Sequence, residues 1–325
     1  MSPAITDVPG VLVGHAHDRE ALTGCTVVLT TGGAVGGVDV RGGGPGTRET
    51  DLLNPTATVS VVHAIALCGG SAFGLAAATG VVEWLRERDI GYPTRIRRVP
   101  IVPGAVIFDL GIGSADRWPD AAMGYAACAA AGSVVEEGCV GVGTGATVGK
   151  LLGMAGAVKS GVGTWSETLA DGTVIGALAV CNAIGDVCRA ASGQILAGAR
   201  DPQSGTFADS MALLRQPAVQ AAMAMLMGAE HTTLAVVATD ARLTKAEANR
   251  LAQVAQDALP RTIRPVHTPF DGDTVFALST GQRTSQHIAV LGAIAADVLA
   301  RAIERSVLMA TAAGGLPAAR DLGVV

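Results

Sequence analysis

Thr232 opens an apolar run, Thr232–Thr233–Leu234–Ala235–Val236–Val237–Ala238–Thr239, that follows Glu230 and His231. A threonine at a strand end is common, because β-branched side chains suit a pleated surface. A sharper chemistry is open to it. As an N-terminal nucleophile, its hydroxyl would attack the preceding peptide carbonyl and cut its own chain. The new α-amine, with a pKa of about 8, would then take the hydroxyl's proton near neutral pH. Composition and spacing alone do not choose between the two. Farther on, Asp271–Gly272–Asp273 sets two carboxylates at i and i+2. Asp and Gly favour turns for backbone reasons, while two carboxylates this close favour at least one raised pKa. The segment lacks the further oxygen ligands and terminal Glu of a calcium loop.

Three other groupings carry less. Gly141–Lys150 (GVGTGATVGK) has the look of a phosphate loop but has Thr144 and Leu151 where that motif needs Gly and Ser or Thr. His15 and His17 have no Cys or third His nearby, so no metal is expected there. The six cysteines include no Cys-x-x-Cys pair and mostly sit in apolar runs, as buried reduced thiols of a cytoplasmic protein do.

The elements that must position these groups alternate along the chain. Strands are predicted at Val11–Gly14, Thr26–Thr30, Thr58–Leu67, Gly176–Cys181, Leu234–Thr239 and Thr274–Leu278. Helices are predicted at Ser71–Glu87, capped by Ser71, and at Ala121–Ala131, Ala218–Met227, Lys245–Leu259 and His287–Leu308. In Lys245–Leu259, Ala248, Leu251, Ala252, Ala255 and Leu259 form one apolar stripe, with Thr244 as cap and Pro260 as stop. Thr31–Gly46, with eight glycines, reads as a mobile or phosphate-cradling loop. The fold class is α/β, with Ala- and Gly-faced helices close on a sheet. The strands Leu234–Thr239 and Thr274–Leu278 must be sheet neighbours if Thr232 is to meet Asp271 and Asp273.

Composition excludes several classes. The 325 residues include 43 glycines, about 13% against a usual ~7%. Only 16% are charged and 3% aromatic, while 49% are hydrophobic. Such a chain is not disordered, and its glycines follow no collagen period. With 23 basic against 28 acidic residues and few rings to stack bases, it is no nucleic-acid binder. The uncharged stretch Ala57–Val82 reads as a buried strand, a Gly-Gly turn and a helix, not as a membrane span. The first twenty residues lack the pattern of a secretory signal. So little charge on so apolar a chain points to a homo-oligomer.

Several blocks, in order from Ile5 to Met309, carry a family resemblance. They are Thr6–Asp7–Val8–Pro9–Gly10–Val11, Val38–Asp39–Val40–Arg41–Gly42–Gly43, Cys68–Gly69–Gly70–Ser71–Ala72–Phe73–Gly74–Leu75, Val106–Ile107–Phe108–Asp109–Leu110 and Asp271–Gly272–Asp273–Thr274–Val275–Phe276–Ala277. The sequence resembles the DmpA/NylC-type self-cleaving hydrolases: L-aminopeptidase/D-esterases, β-peptidyl aminopeptidases and nylon-oligomer endohydrolases.

The resemblance implies a four-layer α/β/β/α sandwich of the DmpA type, one hydrolase domain of residues 1–325 cut once, between His231 and Thr232, into 1–231 and 232–325. It implies a site of Lys150, Asn182, Thr232, Asp271 and Asp273. In it Thr232 is the nucleophile, Asn182 an oxyanion donor, and Lys150 either a stabiliser of negative charge or a group that tunes the nucleophile's proton. Asp271 and Asp273 hold the new ammonium and orient the hydroxyl. No metal or organic cofactor is implied. The substrate is a small peptide or oligoamide, and the assembly a tetramer of cleaved protomers. Two positions depart from the family pattern. His231 stands where the nylon branch has Asn and the aminopeptidase/esterase branch Gly, and Phe108 stands where the nylon enzymes have Tyr. The alternatives are an acyltransferase using the same acyl-enzyme, or a non-catalytic binding protein on the same fold.

Overall fold

The computed structural model describes residues 2–224, 230–284 and 287–324. Its frame is one nine-stranded sheet. The main path runs Val162–Thr168, Val174–Asn182, Thr232–Ala241, Thr274–Arg283, Thr23–Val40, Val61–Cys68, Gly104–Val106 and Thr47–Arg48, with Leu12–Asp18 also paired to Thr23–Val40. Thr232–Ala241 and Thr274–Arg283 are sheet neighbours, as expected from the sequence, and run parallel with Leu234 opposite Thr274.

The sheet doubles over along Thr23–Val40. The first part of this strand pairs with Leu12–Asp18 and Val61–Cys68, its last part with Thr274–Arg283. A register shift between Leu29 and Ala34 marks the change. Side-chain alternation then sorts the core into layers. Leu178, Val180, Leu234, Val236, Phe276 and Leu278 join Val28, Ile65 and Leu67 in the middle cluster, between the two halves of the sheet. The alternate residues Ala177, Ala179, Ala235, Val237, Val275 and Ala277 pack with Leu251, Leu291, Val298 and Leu299. Those belong to helices Lys245–Ala255 and Ile288–Leu308. On the opposite outside, Val27, Leu29, Ala64 and Ala66 pack with Ala78, Val81, Leu85 and Ala127, from helices Ala77–Glu87 and Ala121–Ala129. The result is the α/β/β/α sandwich. Each fully buried Leu, Val or Phe contributes about 1.5–3 kcal/mol.

The Gly-rich segment Thr31–Gly46 corrects the loop expectation. Its first ten residues continue the strand to Val40. A Cβ on Gly37 would lie 2.3 Å from the backbone of Ala248, so the bare strand seats helix Lys245–Ala255. Gly163 does the same for helix Ile288–Leu308, where a Cβ would lie 2.2 Å from the Ala302 carbonyl oxygen. Other boundaries shift for local reasons. Ser71 does not cap a helix; it takes a left-handed φ of 52° after Gly70. A 3-10 segment, Ser71–Ala76, precedes the helix Ala77–Glu87. Thr244 caps its helix reciprocally with Glu247, but the helix ends at Ala255 and Pro260 lies in a short separate helix, Ala258–Thr262. The helix predicted at Ala218–Met227 is seen as Pro217–Ala224; Met225–Met227 lie outside the described residues. Among the described residues no helix is long and apolar enough to cross a membrane.

Candidate active site

Three strand ends meet at Thr232. It begins the strand Thr232–Ala241, its Cα opposite that of Asn182 at the end of Val174–Asn182. On its other side, Asp271–Gly272–Asp273 leads into Thr274–Arg283, and His231 bridges to Asp271. Thr232 is 5% exposed. Its hydroxyl donates to the His231 carbonyl oxygen at 2.5 Å. The same oxygen accepts the Gly272 backbone N–H at 2.8 Å. Gly272 is needed here for room, since a Cβ would stand 2.7 Å from the Thr232 hydroxyl oxygen.

The carboxylates are held by backbone. Asp273 accepts the Thr233 N–H at 2.7 Å through one oxygen. Its other oxygen accepts the His267 N–H at 3.2 Å and lies 2.8 Å from His267 Nδ1. Asp271 accepts the Thr268 N–H at 2.6 Å. Burial, together with the adjacent Asp273 carboxylate, pushes the Asp271 carboxyl up to about 6. The block Val38–Gly43 has its place here. Arg41 and Gly42 donate backbone N–H groups to the Asp273 carbonyl, and Gly44 donates to that of Asp271.

Lys150 and Asn182 form a second cluster on the neighbouring strand end. Lys150 Nζ donates to the Asn182 carbonyl at 2.9 Å and to Oδ1 at 3.0 Å. Oδ1 also accepts the Thr147 N–H at 3.1 Å, while Nδ2 donates to the Phe108 carbonyl at 2.8 Å. These partners fix which way the amide faces and leave one Nδ2 hydrogen uncommitted. Burial of the Lys150 amine pushes its pKa down to about 7, against the opposing pull of Cys181, Asp271, Glu230 and Asp109. Gly149, at φ +70° and with a would-be Cβ 2.1 Å from Gly198 carbon, delivers Lys150 where any other residue would clash. Fully buried Lys159 donates to the carbonyls of Gly143, Ala146 and Ser160 and so fixes the segment leading to Thr147.

Asp109 links two more blocks. One oxygen accepts the Gly70 N–H at 2.6 Å and the other the Thr23 hydroxyl at 2.7 Å. Burial pushes this carboxyl up to about 6. Together these bonds set the position of the Phe108 carbonyl against Asn182. Beside the cluster lies a cavity of about 50 Å³, lined among others by Phe108, Ile112, Lys150, Met154, Glu230 and His231. Larger cavities, of about 280 Å³ near Trp165 and about 500 Å³ near His63, contain none of the site residues.

All five residues named from the sequence therefore fall in one neighbourhood. Two contributors were missed there. His267 stands in a turn with a left-handed φ of 55°, and its pairing with Asp273 follows no spacing rule. The Gly272 N–H is a backbone group, which no residue type announces. His15 and His17 point elsewhere: His15 Nδ1 meets the Thr26 hydroxyl, and His17 Nδ1 accepts from the Gly141 N–H.

Comparison with known proteins agrees with this architecture. An uncharacterised aminopeptidase of Mycobacterium bovis is 47% identical, with 98% of this chain and 97% of that protein covered. A 6-aminohexanoate-oligomer endohydrolase of Kocuria sp. is 33% identical over 90% of this chain and 82% of its own length. Among solved structures, the L-aminopeptidase D-Ala-esterase/amidase of Ochrobactrum anthropi superposes with a TM-score of 0.72 at 20% identity, covering 99% of this chain and 94% of that one. A Burkholderia sp. beta-aminopeptidase gives 0.70 at 23% identity, covering 100% and 93%. These two share the fold, described for the former as a variant of the Ntn-hydrolase fold. The model of peptidase family S58 matches residues 3–319, so the chain belongs to that family and is a hydrolase of amide bonds.

Proposed function

We propose that the chain is made whole, cuts itself between His231 and Thr232, and then hydrolyses peptide or oligoamide bonds through a Thr232 acyl-enzyme. The observation that carries this reading is the shared His231 carbonyl oxygen, 2.5 Å from the Thr232 hydroxyl oxygen and 2.8 Å from the Gly272 nitrogen. In the first reaction, the hydroxyl oxygen bonds to the His231 carbonyl carbon while the Gly272 N–H stabilises the oxyanion. The C–N bond then breaks, and the Thr232 nitrogen leaves as an amine, taking the proton that the hydroxyl gave up on forming its bond to carbon. Water hydrolyses the resulting ester, giving a His231 carboxylate and a free Thr232 hydroxyl.

In the second reaction the freed α-amine acts as base for its own hydroxyl. Asp271 and Asp273, on adjoining backbone, hold the ammonium that forms. Asn182, oriented by Thr147 and Lys150, offers its remaining Nδ2 hydrogen to the substrate oxyanion. A Thr nucleophile and the relative named a 6-aminohexanoate-oligomer endohydrolase support oligoamides as substrates, and the relative named an aminopeptidase supports peptides. Phe108 supplies no hydroxyl at the cavity, which argues against nylon oligomers themselves. Six free, buried cysteines support a reducing, cytoplasmic setting, and the low charge supports a homo-oligomer such as a tetramer of cleaved protomers.

Denaturing electrophoresis tests the first reaction. The 32.5 kDa chain should give pieces of about 23 and about 9 kDa. Thr232→Ala should give one band and no turnover; a variant that is still cut and active would place the nucleophile elsewhere.

A further inference from the structure

We propose that a cavity at the other end of the sheet from Thr232 binds a small phosphate monoester. The cavity, of about 500 Å³, is lined by residues 31–33 and by Pro93 and Arg98 of the antiparallel pair Tyr92–Pro93 and Arg98–Val99. Its volume falls in the ~300–1,000 Å³ range of small-molecule sites. Val35, just past the first segment, stands opposite Ser279, five residues beyond Thr274 in one strand. At ~3.3 Å per residue, that is roughly 17 Å from the strand ends around Thr232. The site therefore stands or falls independently of the nucleophile.

Donors of three kinds line this cavity. Arg88, Arg98 and His63 face it together. The Arg88 guanidinium lies 4.0 Å over the Trp84 ring and donates to the Trp84 carbonyl at 3.0 Å. Arg98 donates to the Gly91 carbonyl at 3.2 Å. A guanidinium has five N–H donors, so most of each fork stays uncommitted while its position is held. His63 is 4% exposed, and its Nδ1 accepts the Ile101 N–H at 3.2 Å. Burial, and then the neighbouring Arg98 charge, hold its imidazole below the ordinary pKa. The neutral ring so oriented carries its proton on Nε2, which has no acceptor among the described residues. Two carboxylates stand near the arginines. Asp89, 3.7 Å from Arg98, has an 83% exposed side chain, and Glu87, 3.6 Å from Arg88, is also exposed. Such solvated pairs are weak, and an entering dianion competes with them.

The strand itself leaves room for a ligand. Residues 30–33 fall between the two registers of Thr23–Val40. At Gly37 the missing side chain makes space for a helix, but at Gly32 nothing stands within 4 Å of a would-be Cβ. Bare strand backbone beside open space admits the close approach of a bound group. Thr31 adds a hydroxyl, while Val61, Ile90 and Pro93 give an apolar wall for an organic moiety. Donors from separate elements suit a tetrahedral group with three terminal oxygens, whereas one guanidinium fork already satisfies a planar carboxylate. Near pH 7.5 a phosphate monoester carries close to two negative charges.

Isothermal titration calorimetry of the full chain with phenyl phosphate, inorganic phosphate and benzoate tests the site. Phenyl phosphate should bind at one saturable site, at least about tenfold tighter than either of the others, a margin typical of one pocket contact. Arg98→Gln should weaken it by about tenfold or more, the scale of a charged hydrogen bond. Arg97→Gln makes the same charge change at a neighbouring residue that does not line the cavity, and should leave affinity unchanged. Gly32→Leu meets no neighbour, so it should keep the parent circular dichroism and abolish binding by filling the space. The absence of saturable binding overturns the proposal, and so does equal affinity for inorganic phosphate or benzoate. Equal losses in Arg97→Gln and Arg98→Gln, or full binding by Gly32→Leu, overturn it as well.

Discussion

The Gly272 backbone N–H and the Thr232 hydroxyl converge on one atom, the His231 carbonyl oxygen, at 2.8 and 2.5 Å. A donor already in contact with the oxygen that gains charge stabilises the transition state without reorganising. This pairing connects the sheet to the chemistry, because it exists only where the Thr232 and Thr274 strands run side by side.

Gly272→Ala should slow self-cleavage by about 10²-fold or more, the scale of losing one aligned oxyanion contact. The new Cβ would stand 2.7 Å from the Thr232 hydroxyl oxygen and push it off line. A time course on denaturing gels, beside circular dichroism showing a native fold, checks this.

Asn182→Ala should lower kcat by about 10²–10³-fold in whatever fraction is processed. It should also cost about 1–3 kcal/mol of stability, since the Thr147 N–H and the Phe108 carbonyl lose their buried partner. Urea unfolding and steady-state kinetics separate the two effects.

His267 should act through Asp273. His267→Ala removes the group 2.8 Å from the carboxylate and should lower kcat by about tenfold. His267→Asn keeps a donor near the Nδ1 position and tolerates the left-handed φ of 55°, so it should retain most activity. Equal loss in both variants would reduce His267 to a packing role.

Two buried groups pull the pH dependence of stability in opposite directions in the uncut Thr232→Ala chain. Asp271 has a folded pKa raised to about 6, so its stabilisation is present below its unfolded pKa and is lost as pH rises to 6. Lys150 has a folded pKa lowered to about 7, so the unfolded chain binds more protons above that value and stability rises with pH toward about 10. Urea titrations should show the acid-side fall vanish in Asp271→Asn and the alkaline rise vanish in Lys150→Met.

The parts of this arrangement legible in the sequence were those written in apolar periodicity. The runs after Thr232 and Thr274 announced two buried strands, and their being sheet neighbours followed from the need, which the resemblance set, to join Thr232 to the Asp pair; the parallel direction and the Leu234–Thr274 register came only from the structure. Lys150 and Asn182 became site residues through family resemblance alone; only the fold explains their contact, with the Gly149 turn swinging Lys150 onto the end of a distant strand. Thr31–Val40 misled because glycine signals both loops and close packing, and Gly37 does the second. Gly272 N–H and His267 stayed hidden for different reasons. One is a backbone donor, and the other reaches Asp273 through a turn whose left-handed residue is not glycine.

An intact-mass spectrum of the purified, active protein tests the central claim most directly. Two masses of about 23 and about 9 kDa are expected, the smaller fragment beginning at Thr232. A single 32.5 kDa species in a preparation that hydrolyses amides would contradict it.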